Sequence, residues 1–308
     1  MAQQRKGKFL YEERKHHVRP GDFTLVLGFS RVWCVEPIIE SLCAMKIPLS
    51  RCHLLVYDNT DKGLLEQALM ENFMLFKGVF ASMRIYKSYR KGGSVIVGMK
   101  DYRWEDTKLV PVNAMYKDFK WIIETDVFIN IEDDTYCPPN TVEQLLRDLE
   151  RYKGRAFITG LETSRSADRD TVVLLGAYYI RGENGRIVQK CSLDPRCHPR
   201  STACVRVDAC GWYCFATTKS VWLQGFKGHP VRAEYVHHFA SDVFHTWNIH
   251  NAGIPVIADY KIRCFHMQPD PKGIIYWKVC QAVPHLDYYI KEHDVWAIMI
   301  PLKHEIRL

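Results

Sequence analysis

The sequence predicts an α/β protein: a doubly wound, mostly parallel sheet with helices on both faces. Three observations carry the prediction. Short apolar runs of strand length, Phe23–Phe29 (FTLVLGF) and Cys52–Tyr57 (CHLLVY), alternate with the helically periodic segments Val35–Met45 and Gly63–Met70, which is the β-α-β-α rhythm of such a sheet. A chain of 308 residues with 47% hydrophobic and 25% charged content can bury one large α/β core. A further apolar, β-branched run, Trp121–Thr135 (WIIETDVFINIEDDT), ends in three carboxylates, Glu132, Asp133 and Asp134. That is the carboxyl end of a strand, where sheets of this class bind ligands.

The first twenty-two residues are basic but lack the apolar core of a secretory signal, so 1–22 reads as a basic N-terminal tail. Among the longest apolar stretches, TVVLLGAYYI reaches ten residues, too short to span a bilayer, and a cytoplasmic protein is expected. The net charge of +7 favours anionic partners, a nucleotide as readily as a nucleic acid. The eleven cysteines should then be mostly buried thiols. Cys191, Cys197, Cys204, Cys210 and Cys214 cluster in sequence, but their spacings contain one close pair and no second, which argues against a zinc knuckle there.

After the strand Phe23–Phe29 come Ser30, Arg31 and a helix with Pro37 in its first turn. The strand Cys52–Tyr57 runs into Asp58, Asn59, Thr60 and Asp61, a turn that either holds a base or ribose through Asp58 or Asn59, or merely bonds to its own backbone. Neither G-x-G-x-x-G nor G-x-x-x-x-G-K-[ST] occurs, so any phosphates would rest on a metal and basic side chains. Ser82–Tyr86 is a third strand. The polar stretch Lys87–Asp106 reads as a surface connection or a cation-bearing loop, and Asn113–Asp118 as a short helix.

In the central stretch a period of two places Glu132 and Asp134 on one face and Asp133 on the other. Two adjacent carboxylates at the end of a buried strand repel one another and resist desolvation, so something positive belongs between them. Mg²⁺ or Mn²⁺ is the economical candidate, and a solvated acidic turn is the alternative. Pro138–Thr141 then starts a helix whose apolar face holds Val142, Leu145, Leu146 and Leu149, with Gly154 as its stop. Ala156–Gly160 and Thr171–Ile180 are strand candidates, and Arg181–Gly185 a hairpin turn.

Two strand–helix units, a polar turn at DNTD and an acidic triplet followed by PPNTVEQLL resemble the GT-A fold nucleotide-sugar transferases, particularly their family 2-like branch. The resemblance covers residues 23–268 as the catalytic domain and leaves 269–308 as an extension packing on it. It implies a D-x-D metal motif, matched here as E-D-D, with Asp134 and Glu132 as ligands of Mn²⁺ or Mg²⁺ and His266, after the strand Ile254–Phe265, as a third. It assigns Asp58, Asn59 and Asp133 to the nucleotide-sugar, together with Gly211 and Trp212 of the segment Cys210–Val221. Trp212 could equally be a core residue. The catalytic base falls on Asp242, at the start of the helical segment Ala240–Gly253, where a helix N-terminus should stabilise the carboxylate and lower its basicity. The structural alternative for Asp242 is a favourable charge on the helix dipole.

The expected activity is metal-dependent, inverting transfer of a sugar from a UDP- or GDP-sugar to an acceptor hydroxyl, on a carbohydrate or another hydroxyl compound, a modified DNA base included. A nucleotidyltransferase and a non-catalytic nucleic-acid or carbohydrate binder are the alternatives.

Overall fold

The computed structural model describes residues 7–58, 63–88, 118–163, 204–227 and 241–267, with short strands within 174–189 and at 274–275 and 306–307. Its strands are β1 (Gly7–Arg14), β2 (Phe23–Phe29), β3 (Cys52–Asp58), β4 (Ser82–Ser88), β5 (Val127–Glu132), β6 (Thr135–Tyr136), β7 (Phe157–Thr163), β8 (Leu174–Leu175), β9 (Ala177–Tyr178), β10 (Ile180–Glu183), β11 (Arg186–Gln189), β12 (Cys204–Val207), β13 (Ala209–Cys210), β14 (Cys214–Thr218) and β15 (Val256–His266). The main sheet runs β1-β4-β3-β2-β5-β14-β7-β15-β12, with β8 on β7 and β6 on β15.

β4, β3, β2 and β5 are mutually parallel. Chain order climbs from β2 to β4 on one side of β2, and β5 then joins its other side. This reversal is the topological switch point of an open α/β sheet, and ligands bind in the crevice at the carboxyl ends of the strands there. β14 enters antiparallel between β5 and β7, while β15 runs parallel to β7.

Alternation along the strands divides the core in two. Leu25, Leu27, Leu54, Val56, Ile129 and Ile131 face the helices Val35–Ala44, Gly63–Phe73 and Thr141–Arg151. Val26, Leu55, Phe128 and Phe215 face the opposite layer, where Trp222 and Ile249 come from the helices Lys219–Gln224 and Ser241–Asn251. Each such side chain removed from water contributes roughly 1.5–3 kcal/mol, which is why continuous apolar runs form the sheet's centre. Among the described residues no helix is long and apolar enough to cross a membrane.

Three expectations change. Residues 7–14, read as tail, form the edge strand β1, because Phe9 packs edge-on against Tyr86 at 5.1 Å and Arg14 pairs with Glu124 at 2.7 Å. The stretch Trp121–Thr135 is strand only over Val127–Glu132; residues 118–122 are helical, and Thr125 instead bonds Thr24 at 2.7 Å. Asp133 and Asp134 lie in a turn between β5 and β6, so the strand period does not extend to them. The Arg181–Gly185 hairpin is reflected in the antiparallel pairing of β10 with β11. Asn59 and all but the first two and last residues of Lys87–Asp106 and Asn113–Asp118, respectively, lie outside the described residues, as do most of residues 269–308.

Candidate active site

β2 and β5 end side by side at the switch point, and the residues just beyond them meet. Asp133 Oδ2 accepts from the Ser30 amide at 2.7 Å, the Ser30 hydroxyl at 3.0 Å and the Arg31 amide at 3.1 Å. The Arg31 guanidinium also closes on Asp133 Oδ1, and its Nη1 lies 2.7 Å from Asp134 Oδ2. Asp133 and Asp134 are 4% and 1% exposed, so a positive charge between them is a physical requirement. Within the protein that charge is Arg31. Burial pulls its guanidinium down, but the two carboxylates outweigh burial and hold it above its usual value. Asp133 is thus engaged by the loop after β2, in an arrangement the sequence reading did not anticipate.

Asp134 is also the meeting point of two distant strands. His266, at the end of β15, places Nε2 3.0 Å from Asp134 Oδ2, and its Nδ1 lies 3.4 Å from Glu162 Oε2. Glu162 near the end of β7 is fixed in turn by the Thr135 hydroxyl at 2.8 Å. Nδ1 thus faces Glu162, the kind of outer partner that orients a histidine, while Nε2 faces Asp134. Asp134 Oδ2 and His266 Nε2 stand at a separation that a hydrogen bond or two ligands of one hard ion would equally give, but the same oxygen also carries Arg31 Nη1, and among the described residues no third ligand atom joins the two within 4.8 Å. Glu132 ends β5 half-buried, and its amide donates to the Tyr213 carbonyl at 2.9 Å.

That bond leads to the second carboxylate group. Gly211, two residues before Tyr213, lies against Asp242: a Cβ on Gly211 would be 3.2 Å from Asp242 Oδ2 and 2.8 Å from the Tyr213 ring. A side chain here would crowd the carboxyl, so glycine permits the approach. Tyr213 is anchored by its hydroxyl, which donates to the Gly160 carbonyl at 2.5 Å. Asp242 stands in the first turn of the helix Ser241–Asn251 and accepts from the Val243 amide at 2.9 Å. Burial nevertheless dominates over these backbone donors and pushes its pKa up to about 6. The expected lowering by the helix terminus is overturned because desolvation of the charged form is the larger effect.

Trp212 points the other way. It is 2% exposed, packs on Trp222 at 5.3 Å between ring centroids and meets His245 edge-on at 5.1 Å, within the aromatic core. Asp58, at the end of β3, forms a buried ion pair with Lys87 at the end of β4, 2.7 Å apart. The sequence reading missed Arg31 and Glu162 as site residues. Arg31 was signalled only by its place directly after β2, and Glu162 fell beyond the strand limit expected at Gly160.

No known protein family matches the sequence, and no curated protein does. Solved structures do match. GalNAc-T7 with UDP, GalNAc and Mn²⁺ superposes with a TM-score of 0.54 at 14% identity, covering 80% of this chain and 43% of that one. The fold is GT-A. S. aureus TarS aligns at TM-score 0.45 and 9% identity over 79% of this chain and 60% of its own, and TarS with UDP-GlcNAc at 0.43 and 11% over 81% and 60%. The chain spans less than half the length of GalNAc-T7 that it matches, and the likeness establishes the GT-A architecture alone. Within that architecture, Arg31, Asp133, Asp134, Glu162 and His266 gather at the carboxyl ends of β2, β5, β7 and β15.

Proposed function

We propose that the protein is a metal-dependent, inverting glycosyltransferase that moves a sugar from a nucleoside-diphosphate donor, a UDP- or GDP-sugar, to an acceptor hydroxyl. The observation that carries the reading is the 3.0 Å approach of Asp134 and His266, residues 132 apart in the chain, at the carboxyl ends of β5 and β15. Asp134 and His266 would hold Mn²⁺ or Mg²⁺, with Glu132, at the end of β5, as the further carboxylate that would have to turn toward the ion. A bound ion would supply charge neutralisation for a departing nucleoside diphosphate.

The chain's own residues do the rest. Asp242 accepts the acceptor hydroxyl's proton as that oxygen attacks the anomeric carbon from the face opposite the diphosphate. A carboxyl with pKa about 6 is mostly ionised at neutral pH yet more basic than an ordinary aspartate, which suits a general base. Gly211 leaves room for that carboxyl, and Tyr213 fixes the backbone between it and Glu132. Asp58, held by Lys87, would contact the base or ribose at the end of β3. A cytoplasmic setting, with nucleotide-sugars and reduced thiols, belongs to the same reading.

Calorimetric titration with UDP, GDP, CDP and dTDP, each with and without Mn²⁺, tests it. One nucleotide should bind in a metal-dependent way, and Asp134→Asn should lose that binding. Failure of all four nucleotides would remove the donor site. Retention of anomeric configuration in the product would remove Asp242 as base.

One observation favours a second reading. Arg31 already neutralises Asp133 and Asp134, and a guanidinium so placed could serve the donor's diphosphate without an ion. Nucleotide binding and turnover that survive chelation and are lost in Arg31→Met would select it.

A further inference from the structure

We propose that Cys137, Cys214 and Cys264 form a binding site for one thiophilic metal ion, zinc or its analogue cadmium, in the core beneath the candidate active site. The three thiols come from remote parts of the chain: Cys137 follows β6, Cys214 opens β14 and Cys264 lies near the end of β15. Sequence spacing could not pair them, and of the described cysteines in the stretch from Cys191 to Cys214, Cys204, Cys210 and Cys214, only Cys214 takes part. Cys137 Sγ is 3.6 Å from Cys264 Sγ and 3.9 Å from Cys214 Sγ, and all three lie within 4.8 Å of one another.

The separations of 3.6 and 3.9 Å bracket what a metal requires. Zinc–sulfur bonds of about 2.3 Å at tetrahedral angles place the sulfurs about 3.8 Å apart. The thiols therefore stand near the ligand positions already. All three are 0% exposed, and the sheet holds their backbones. β6 pairs with β15 through Tyr136↔Phe265 and Thr135↔His266, and β14 pairs with β5 through Cys214↔Ile131.

Charge selects the ion. Binding releases three thiol protons to solvent, and a divalent ion with three thiolates leaves one net negative charge in the core, whereas a monovalent ion would leave two. Soft sulfur ligands exclude Mn²⁺ and Mg²⁺ in favour of zinc or cadmium. The hard-ion candidate at Asp134 and His266 and this soft-ion site are therefore chemically separate. Cys137, Cys214 and Cys264 lie within three residues of Asp134, Tyr213 and His266, so an ion here would tie together the strands that present the site.

The full chain is refolded or expressed with zinc or cadmium, washed with a mild chelator and assayed for bound metal. About one ion per chain is expected, with sulfur-to-cadmium charge-transfer absorbance that disappears in Cys214→Ala. X-ray absorption at the metal edge of the unaltered protein, which needs no variant, should show a shell dominated by three sulfurs. Asp134→Asn should keep the ion, so failure of the glycosyltransferase reading and failure of this one are separable. A folded protein without bound metal, a nitrogen and oxygen shell, absorbance unchanged in Cys214→Ala, or a Cys137–Cys264 disulfide in unreduced protein would each overturn the proposal.

Discussion

Burial of the Asp242 carboxyl has a cost in stability. The group titrates near 6 in the folded protein against an ordinary value of 3.8. Between those values the native state binds a proton that the unfolded state has released, so stability falls as pH rises through this window and the cost is complete above it. Asp242→Asn is expected to abolish transfer while gaining up to about 3 kcal/mol at pH 7; denaturant midpoints should show the gain shrinking toward pH 4. The same titration predicts that kcat/KM of the unaltered protein falls about tenfold per pH unit below roughly pH 6. Gly211→Ala should lower kcat by about 10–100-fold through displacement of the Asp242 carboxyl, with donor KM little changed. Arg31→Met leaves Asp133 and Asp134 buried without their shared cation, a loss of about 3–5 kcal/mol. If the donor set takes a hard ion, millimolar Mn²⁺ should restore part of the lost melting temperature in that variant and less in Arg31→Met combined with Asp134→Asn.

Among the elements, β1 carries the clearest consequence. β4 is buried along its whole length, Ser82–Ser88, and β1 covers the edge that β4 would otherwise present. Removing residues 1–14 should therefore yield aggregation, visible by light scattering, rather than a trimmed but folded protein. Loss of DNA retention on such a truncation would not identify a nucleic-acid tail. The helix Thr141–Arg151 was legible because its signals are local: a proline-containing start, a stripe of apolar residues and a glycine stop. Gly154 adopts φ +72° and donates to the Leu149 carbonyl at 3.0 Å. Gly154→Ala should cost about 1 kcal/mol, read by thermal unfolding. What was not legible depends on distant partners. The fifteen-residue stretch Trp121–Thr135 looks like one long strand until Thr125 finds Thr24. A lone arginine after β2 carries no mark of the two carboxylates that will surround it, and nothing local turns Trp212 toward Trp222 rather than toward a sugar.

Over the whole molecule the parallel half of the sheet was legible and the insertion of β14 was not, because pairing between strands some eighty residues apart leaves no periodic trace. That insertion has a consequence for synthesis. β14 fills the slot between β5 and β7, so a nascent chain that has left the ribosome only as far as residue 200 has the half-sheet β1-β4-β3-β2-β5 with the β5 edge unpaired, and β7 without either of its long neighbours β14 and β15. Glu132 has no Tyr213 carbonyl to bond at that stage, and Asp134 has no His266. Until residues 204–266 emerge, the carboxyl ends of β2 and β5 lack the partners that complete the candidate site, and the unpaired β5 edge is the surface a chaperone would cover.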